Sequence, residues 1–249
     1  MLPNHSPYVI AEHYGTLARL FPGRIDLGLG RAPGTDEATL SALRRSMRAS
    51  DRFPEDVQEL QGYFRPKAPG QPVVAVPAAG TEVPLYILGS SHFGAALAAE
   101  LGLPYAFASH FAPDMLQSAV EIYRSRFRAS AALAAPYLIV GVNAIAAPTD
   151  AEAKRWATTQ QMSFARLLRG NPGLSLPPID DIDTYWSPHE KVAAHRMLAQ
   201  SYYGTPERVR DGLTQLAEQT GADELIVVSD VYEPEDRLRS FAAIAEAML

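Results

Sequence analysis

The chain has 249 residues, 47% of them hydrophobic, with 22 basic and 28 acidic residues and a formal net charge of −6. That length can bury a substantial core as one large domain over residues 1–249, and the interspersed charges offer no basic patch to a nucleic-acid backbone. The lack of cysteine excludes disulfides, thiolate catalysis and Cys-ligated metals; no apolar run approaches the roughly 20 residues that span a bilayer and no signal peptide opens the chain, so a cytoplasmic protein is expected.

Met1 and Leu2 read as the tail of a strand. Ser6 and Pro7 then open a helix whose apolar face is Ile10, Tyr14, Leu17, Ala18 and Phe21, ended by Pro22 and Gly23. The short strand RIDLGLG and a glycine turn lead into a helical stretch from about Glu37 to Phe64, broken near Asp51 to Pro54. A proline-rich segment at about 66–84 reads as an irregular insertion. The pattern then alternates: strand LYILG, a helix from Ser91 to Leu101, strand PYAFAS, a helix from Pro113 to Ala129, and strand PYLIVGVNAIA. A helix over 150–168, a second irregular insertion at about 170–187 and a short helix over 189–199 follow. The helix of TPERVRDGL, the strand ELIVVSD and a last helix from Glu235 to Met248 close the chain. Strands that are apolar along their length, each followed by a helix, predict an α/β fold with a parallel sheet covered on both faces.

Two stretches carry chemistry. In GRIDLGLGRAPGTD, Gly28, Gly30 and Gly34 are spaced G-x-G-x-x-x-G around Pro33, which misses the dinucleotide fingerprint and suits a plain turn better. Arg31, at the carboxyl end of that strand, lifts the stretch above a turn, because ligands of parallel α/β folds bind at that end and a guanidinium fork suits phosphate. In LYILGSSHFGAALAAELG, a strand runs through Gly89, Ser90, Ser91 and His92 directly into a helix, which makes an anion site at the helix start. A serine that simply caps the helix is the competing and compatible reading. The spacing fails the G-x-S-x-G elbow of serine hydrolases. No pair of the six histidines has metal-ligand spacing, although His5 and His110 both fall at expected strand ends. The acidic run Asp180 to Asp183 reads as a solvated face.

LPNHSPYVIAEHYGTLARLFPGRIDLGLGRAPGTD resembles the luciferase-like flavin monooxygenases, and the likeness continues through LGSSHFGAALAAELGLPYAFASHFAP to GTPERVRDGL and GADELIVVSD. The resemblance implies a TIM (β/α)8-type barrel of the luciferase-like kind. It also implies reduced FMN supplied by a separate reductase, O2 as co-substrate and a small organic substrate. It places Arg31, Ser90 and Ser91 on the cofactor phosphate, with Arg44 as a weak counterpart of a second family arginine; Gly89 and His92 of the same turn, and His5 at its strand end, join them as cofactor-site candidates. Family barrels begin with about three more strands, roughly 90 residues, so the barrel is expected to be incomplete at its N-terminus. The family's catalytic histidine is expected in those strands, so no catalytic residue is assigned here. The open edges of such a barrel predict dimerisation. A flavin-binding chain without turnover and a deazaflavin-dependent oxidoreductase remain the alternatives.

Overall fold

The computed structural model describes residues 1–32 and 36–249, so Pro33 and Gly34 of the glycine loop lie outside the described residues. It falls into two compact units, residues 1–106 with 121–137, and residues 107–120 with 138–249. None of the described helices is long and apolar enough to cross a membrane.

The first unit opens on a 3-10 turn, Leu2–Asn4, where a strand tail was expected. Pro3 cannot donate to a ladder, and the N–H groups of Asn4 and His5 turn back to the carbonyls of Met1 and Leu2. Helix α1, Pro7–Leu20, buries Pro7, Ala11 and Gly15. Leu17 and Phe21, expected to face inward, are 39% and 46% exposed. The cause is the small-residue face: a Cβ on Gly15 would stand 2.4 Å from the backbone nitrogen and Cα of Ala78. Helix and chain thus touch backbone to backbone. Arg19 secures the same contact by donating to the carbonyls of Pro77 at 3.3 Å and Ala79 at 2.8 Å. Part of the proline-rich segment therefore packs firmly against α1.

Strand β1, Leu27–Gly30, pairs in parallel with β2, Leu85–Gly89, in the register Leu27↔Leu85 to Gly30↔Leu88. Between them lie α2, Glu37–Ala42, a 3-10 turn, Met47–Arg52, and α3, Phe53–Phe64. The expected helical stretch is thus interrupted after Ala42 as well as near Phe53. Helix α3 turns Phe53, Val57, Leu60 and Phe64 into the core at helical spacing. Helix α4, His92–Leu101, follows β2 and ends at Gly102, whose φ of 60° needs no Cβ. Strand β3, Tyr105–Ala108, and helix α5, Leu116–Arg126, run in sequence across the division between the units.

In the second unit all nine residues of β4, Leu138–Ala146, are buried. Helices α6, Asp150–Leu168, and α7, Pro188–Met197, follow it; β5, Ser201–Gly204, is a strand that the sequence did not announce. After α8, Pro206–Thr220, comes β6, Glu224–Val228, and then α9, Pro234–Met248. Both β5 and β6 run parallel to β4. The expectation of cover on both faces fits β4 but not β6, where Ile226 is 47% exposed.

A buried polar chain crosses this unit. The Tyr203 hydroxyl donates to Gln160 Oε1 at 2.7 Å, and Gln160 Nε2 donates to Asn143 Oδ1 at 2.7 Å. Asn143 Nδ2 donates in turn to the His110 carbonyl at 2.8 Å, and the His110 N–H donates to the Gly141 carbonyl at 2.8 Å. His110 Nδ1 is buried without a hydrogen-bond partner among the described residues, pressed where a Cβ on Gly141 would stand 2.7 Å away. Burial holds this imidazole below its ordinary value of 6.5.

Two stability outcomes follow from these contacts. Gly15→Ala is expected to lose about 1–3 kcal/mol by overpacking against backbone that cannot yield. Gly62→Ala, in α3 with nothing within 4 Å of the added methyl, should gain about 0.5–1 kcal/mol; urea unfolding of both variants checks the contrast. For His110, the unfolded chain takes up the proton more readily than the folded one. Stability is therefore lost as pH falls from 6.5 toward the lower folded value, and levels off beneath it. His110→Gln should flatten that part of the profile in melting temperatures measured across the range; an unchanged slope would contradict the assignment.

Candidate functional site

The strongest site candidate lies within the first unit, where β2 turns into α4. Ser91 is the N-cap of α4 with extended backbone, yet its side chain makes no capping hydrogen bond. Four other helices do cap with side chains: Asp36, Thr149 and Thr205 each accept an N–H of the first turn, and Ser187 forms a full capping box with Glu190, whereas Ser6 at α1, like Ser91, does not. At α4 the serine hydroxyl stays off the helix start, so the simple-cap reading does not account for Ser91. The N–H groups that open a helix carry partial positive charge and are ready donors to an anion.

Arg31 comes to this place from β1. Its guanidinium carbon lies 4.1 Å above the centre of the Phe93 ring, within the first turn of α4. Stacking of this kind is worth about 0.5–1 kcal/mol at an exposed site and leaves the guanidinium N–H edges open to a ligand. The Arg31 carbonyl is held by the Ser50 hydroxyl at 3.2 Å.

The turn itself is set from beneath by Tyr105. Its hydroxyl donates to the Ser91 carbonyl at 3.1 Å. Its ring lies close to two glycines: a Cβ on Gly94 would be 3.3 Å from Tyr105 Cε2, and one on Gly89 would be 3.6 Å from the Tyr105 hydroxyl oxygen. Burial pushes the Tyr105 phenol well above its ordinary range, so it stays a neutral donor.

The structure thus brings Arg31 together with Gly89, Ser90, Ser91 and His92. Ser90 and Ser91 are half-buried, while Arg31 and His92 are exposed. His5 follows the Leu2–Asn4 turn; burial, the chain's first ammonium, Arg45 and His13 hold its imidazole below the ordinary range. Arg44 lines a different recess, beside Ser6 and Arg48, and Arg31 is not among that recess's lining residues. The acidic run is exposed and tied to partners: Asp180 pairs with Arg155 at 2.7 Å, and Asp183 accepts from Trp186 Nε1 and Lys191 Nζ. Phe93 and Tyr105 were not singled out in the sequence. Phe93 is an aromatic directly after GSSH, but nothing in the sequence pairs it with Arg31, and the packing of Tyr105 against Gly89 and Gly94 is a contact that only the folded chain makes.

The family model for luciferase-like monooxygenases matches residues 1–224. A luciferase-like monooxygenase of Escherichia coli strain K12 is 49% identical over 242 residues, which are 97% of this chain and 72% of that protein. Among solved structures, apo-MsnO8 superposes with a TM-score of 0.89 at 35% identity, covering 99% of this chain and 75% of its own. The oxygenating constituent of 3,6-diketocamphane monooxygenase from Pseudomonas putida, a type II Baeyer-Villiger enzyme solved with FMN, gives a TM-score of 0.67 at 20% identity. It covers 98% of this chain and 75% of its own. The α/β architecture of parallel strands and helices is accordingly of the luciferase-like, TIM-barrel type. With a family model spanning most of its length and a relative 49% identical over 97% of it, the chain belongs to the luciferase-like monooxygenase family.

Proposed function

We propose that this chain binds FMN, with the flavin phosphate held between Arg31 and the first turn of α4, and oxidises a small organic substrate with O2. The observation that carries the reading is the position of the Arg31 guanidinium over Phe93, which sets a fixed cation beside a helix start whose serine does not cap it. A phosphate there would meet a planar fork on one side and backbone N–H donors on the other, and Ser90 and Ser91 supply hydroxyls at the same turn. The glycines contribute from beneath, since Gly89 and Gly94 have no Cβ toward Tyr105 and so let the turn lie close over that ring.

When bound in reduced form, flavin supplies the electrons that activate dioxygen, and a separate reductase would deliver it. The chain's own part is to bind and orient. Arg31 and the α4 turn anchor the phosphate end; Tyr105 keeps the turn from shifting through its bond to the Ser91 carbonyl.

Fluorescence titration with oxidised FMN and with riboflavin tests the site directly. Wild-type protein should bind FMN more tightly than riboflavin. Arg31→Ala should weaken FMN by about tenfold to a hundredfold, from a charge-assisted contact of about 1.5–3 kcal/mol, and leave riboflavin nearly unchanged. Equal loss for the two ligands would remove Arg31 from the phosphate site. Binding of a deazaflavin cofactor in place of FMN in a parallel titration would transfer the activity to that cofactor class, and binding of neither would end the proposal.

A further inference from the structure

A second cationic feature of the first unit stands apart from the flavin reading. Between the start of α1, the 3-10 turn Met47–Arg52 and α3 lies a recess of about 660 Å³ lined by Ser6, Arg44, Arg45, Arg48 and Arg52 together with two acidic residues, Asp56 and Glu59. Its charges do not cancel locally. Arg52 faces Asp56 at 3.7 Å, and Glu59 accepts from the Tyr63 hydroxyl at 2.9 Å. Arg44, Arg45 and Arg48 form no ion pair with any carboxylate among the described residues. Helix α1 adds its N-terminal end to the same recess through Ser6 and Pro7, and Ser6 makes no side-chain cap.

The backbone supplies an independent observation. Arg44 has a φ of 56°, in the left-handed region that favours glycine. It stands just past the end of α2: its N–H donates to the Ser41 carbonyl, and the Arg45 N–H donates to the Leu40 carbonyl, each at 2.9 Å. This is the paired helix ending in which glycine is the usual residue. The chain uses glycine at the other left-handed helix ends, Gly102 after α4, Gly170 after α6 and Gly221 after α8. At α2 alone among these it keeps an arginine, and that arginine shares its recess with Arg48, which forms no ion pair among the described residues, and with Arg45, whose charge acts on Asp56 only at longer range than an ion pair. Guanidinium groups gathered on one recess in excess of its carboxylates attract an anion, and their forks match carboxylate and phosphate oxygens in pairs.

We propose that this recess is a second oxyanion site, taking the phosphate or carboxylate groups of a multiply charged small molecule through Arg44, Arg45 and Arg48. The site is distinct from the phosphate clamp at α4. It does not depend on that clamp being correct.

Calorimetric titration of the full chain at low ionic strength, with inorganic phosphate and with succinate, tests it. Wild-type protein should bind at least one of the two, and the preferred anion tells phosphate chemistry from carboxylate chemistry. Arg44→Gly is the informative variant, because glycine relieves the left-handed backbone. Its melting temperature should equal or exceed that of wild type, while affinity for the anion falls about tenfold. Arg48→Ala should show a similar loss without the gain in stability. Anion binding should persist in the presence of saturating FMN. The proposal is overturned if wild type binds neither anion, if Arg44→Gly binds as wild type does, or if FMN displaces the anion one for one. Failure of FMN to bind would leave the anion titrations readable, so the two readings fail separately.

Discussion

The candidate site hangs on one buried phenol. Tyr105 has no exposed surface, and it packs at 5.4 Å centre to centre against Tyr123, whose own hydroxyl donates to the Leu103 carbonyl at 2.9 Å. Held in this way, its hydroxyl fixes the Ser91 carbonyl and hence the level at which α4 begins. The start of α4 decides where Phe93 stands, and Phe93 decides where Arg31 can rest. A glycine-lined turn alone would be too free to present N–H groups in one direction. The ring beneath it removes that freedom, and Gly89 and Gly94 let the chain lie close enough for the ring to do so.

The sequence carried the alternation of strands and helices because both signals are local: apolar runs over 85–89, 105–108 and 138–146, and helical periods with Pro, Ser or Thr at the starts. It carried Arg31 and the serine turn for the same reason, as residues at strand ends. Information that depends on close approach across the chain was not legible. The buried face of α1 is Ala11 and Gly15, because glycine admits the backbone of Ala78; a reading by hydrophobicity selects the larger Leu17 and Phe21, which remain substantially exposed. Likewise Phe93 and Tyr105 acquire their roles only through partners 62 residues upstream of the first and 14 upstream of the second, by the chain numbering.

Charge shows the same limit. Overall the chain is acidic, at −6, and its charges alternate enough to suggest no patch. Yet Arg44, Arg45, Arg48 and Arg52 fall within nine consecutive positions, and the turn that joins α2 to α3 gathers them on one recess. Net charge sets the long-range field, screened beyond roughly 8–10 Å in physiological salt; recognition of a small anion is decided inside that distance. An acidic protein can therefore hold a cationic recess without contradiction.

Strand β5 illustrates how polar groups, rather than apolar ones, can define a pairing. Its four residues are too few to read as a strand, and three of them are only half-buried. Apolar burial alone would leave its register against β4 weakly specified. Asn143, however, is 2% exposed in the middle of β4, where an unsatisfied amide would cost about 1–3 kcal/mol. Its Nδ2 meets Ser201 Oγ at 3.3 Å, and its Oδ1 accepts from Gln160, which also accepts from Tyr203 on β5. Sliding β5 by one residue would turn Tyr203 to the other face of the strand and break the chain of bonds at Gln160. The register Asn143↔Ser201 is the one in which every link is made.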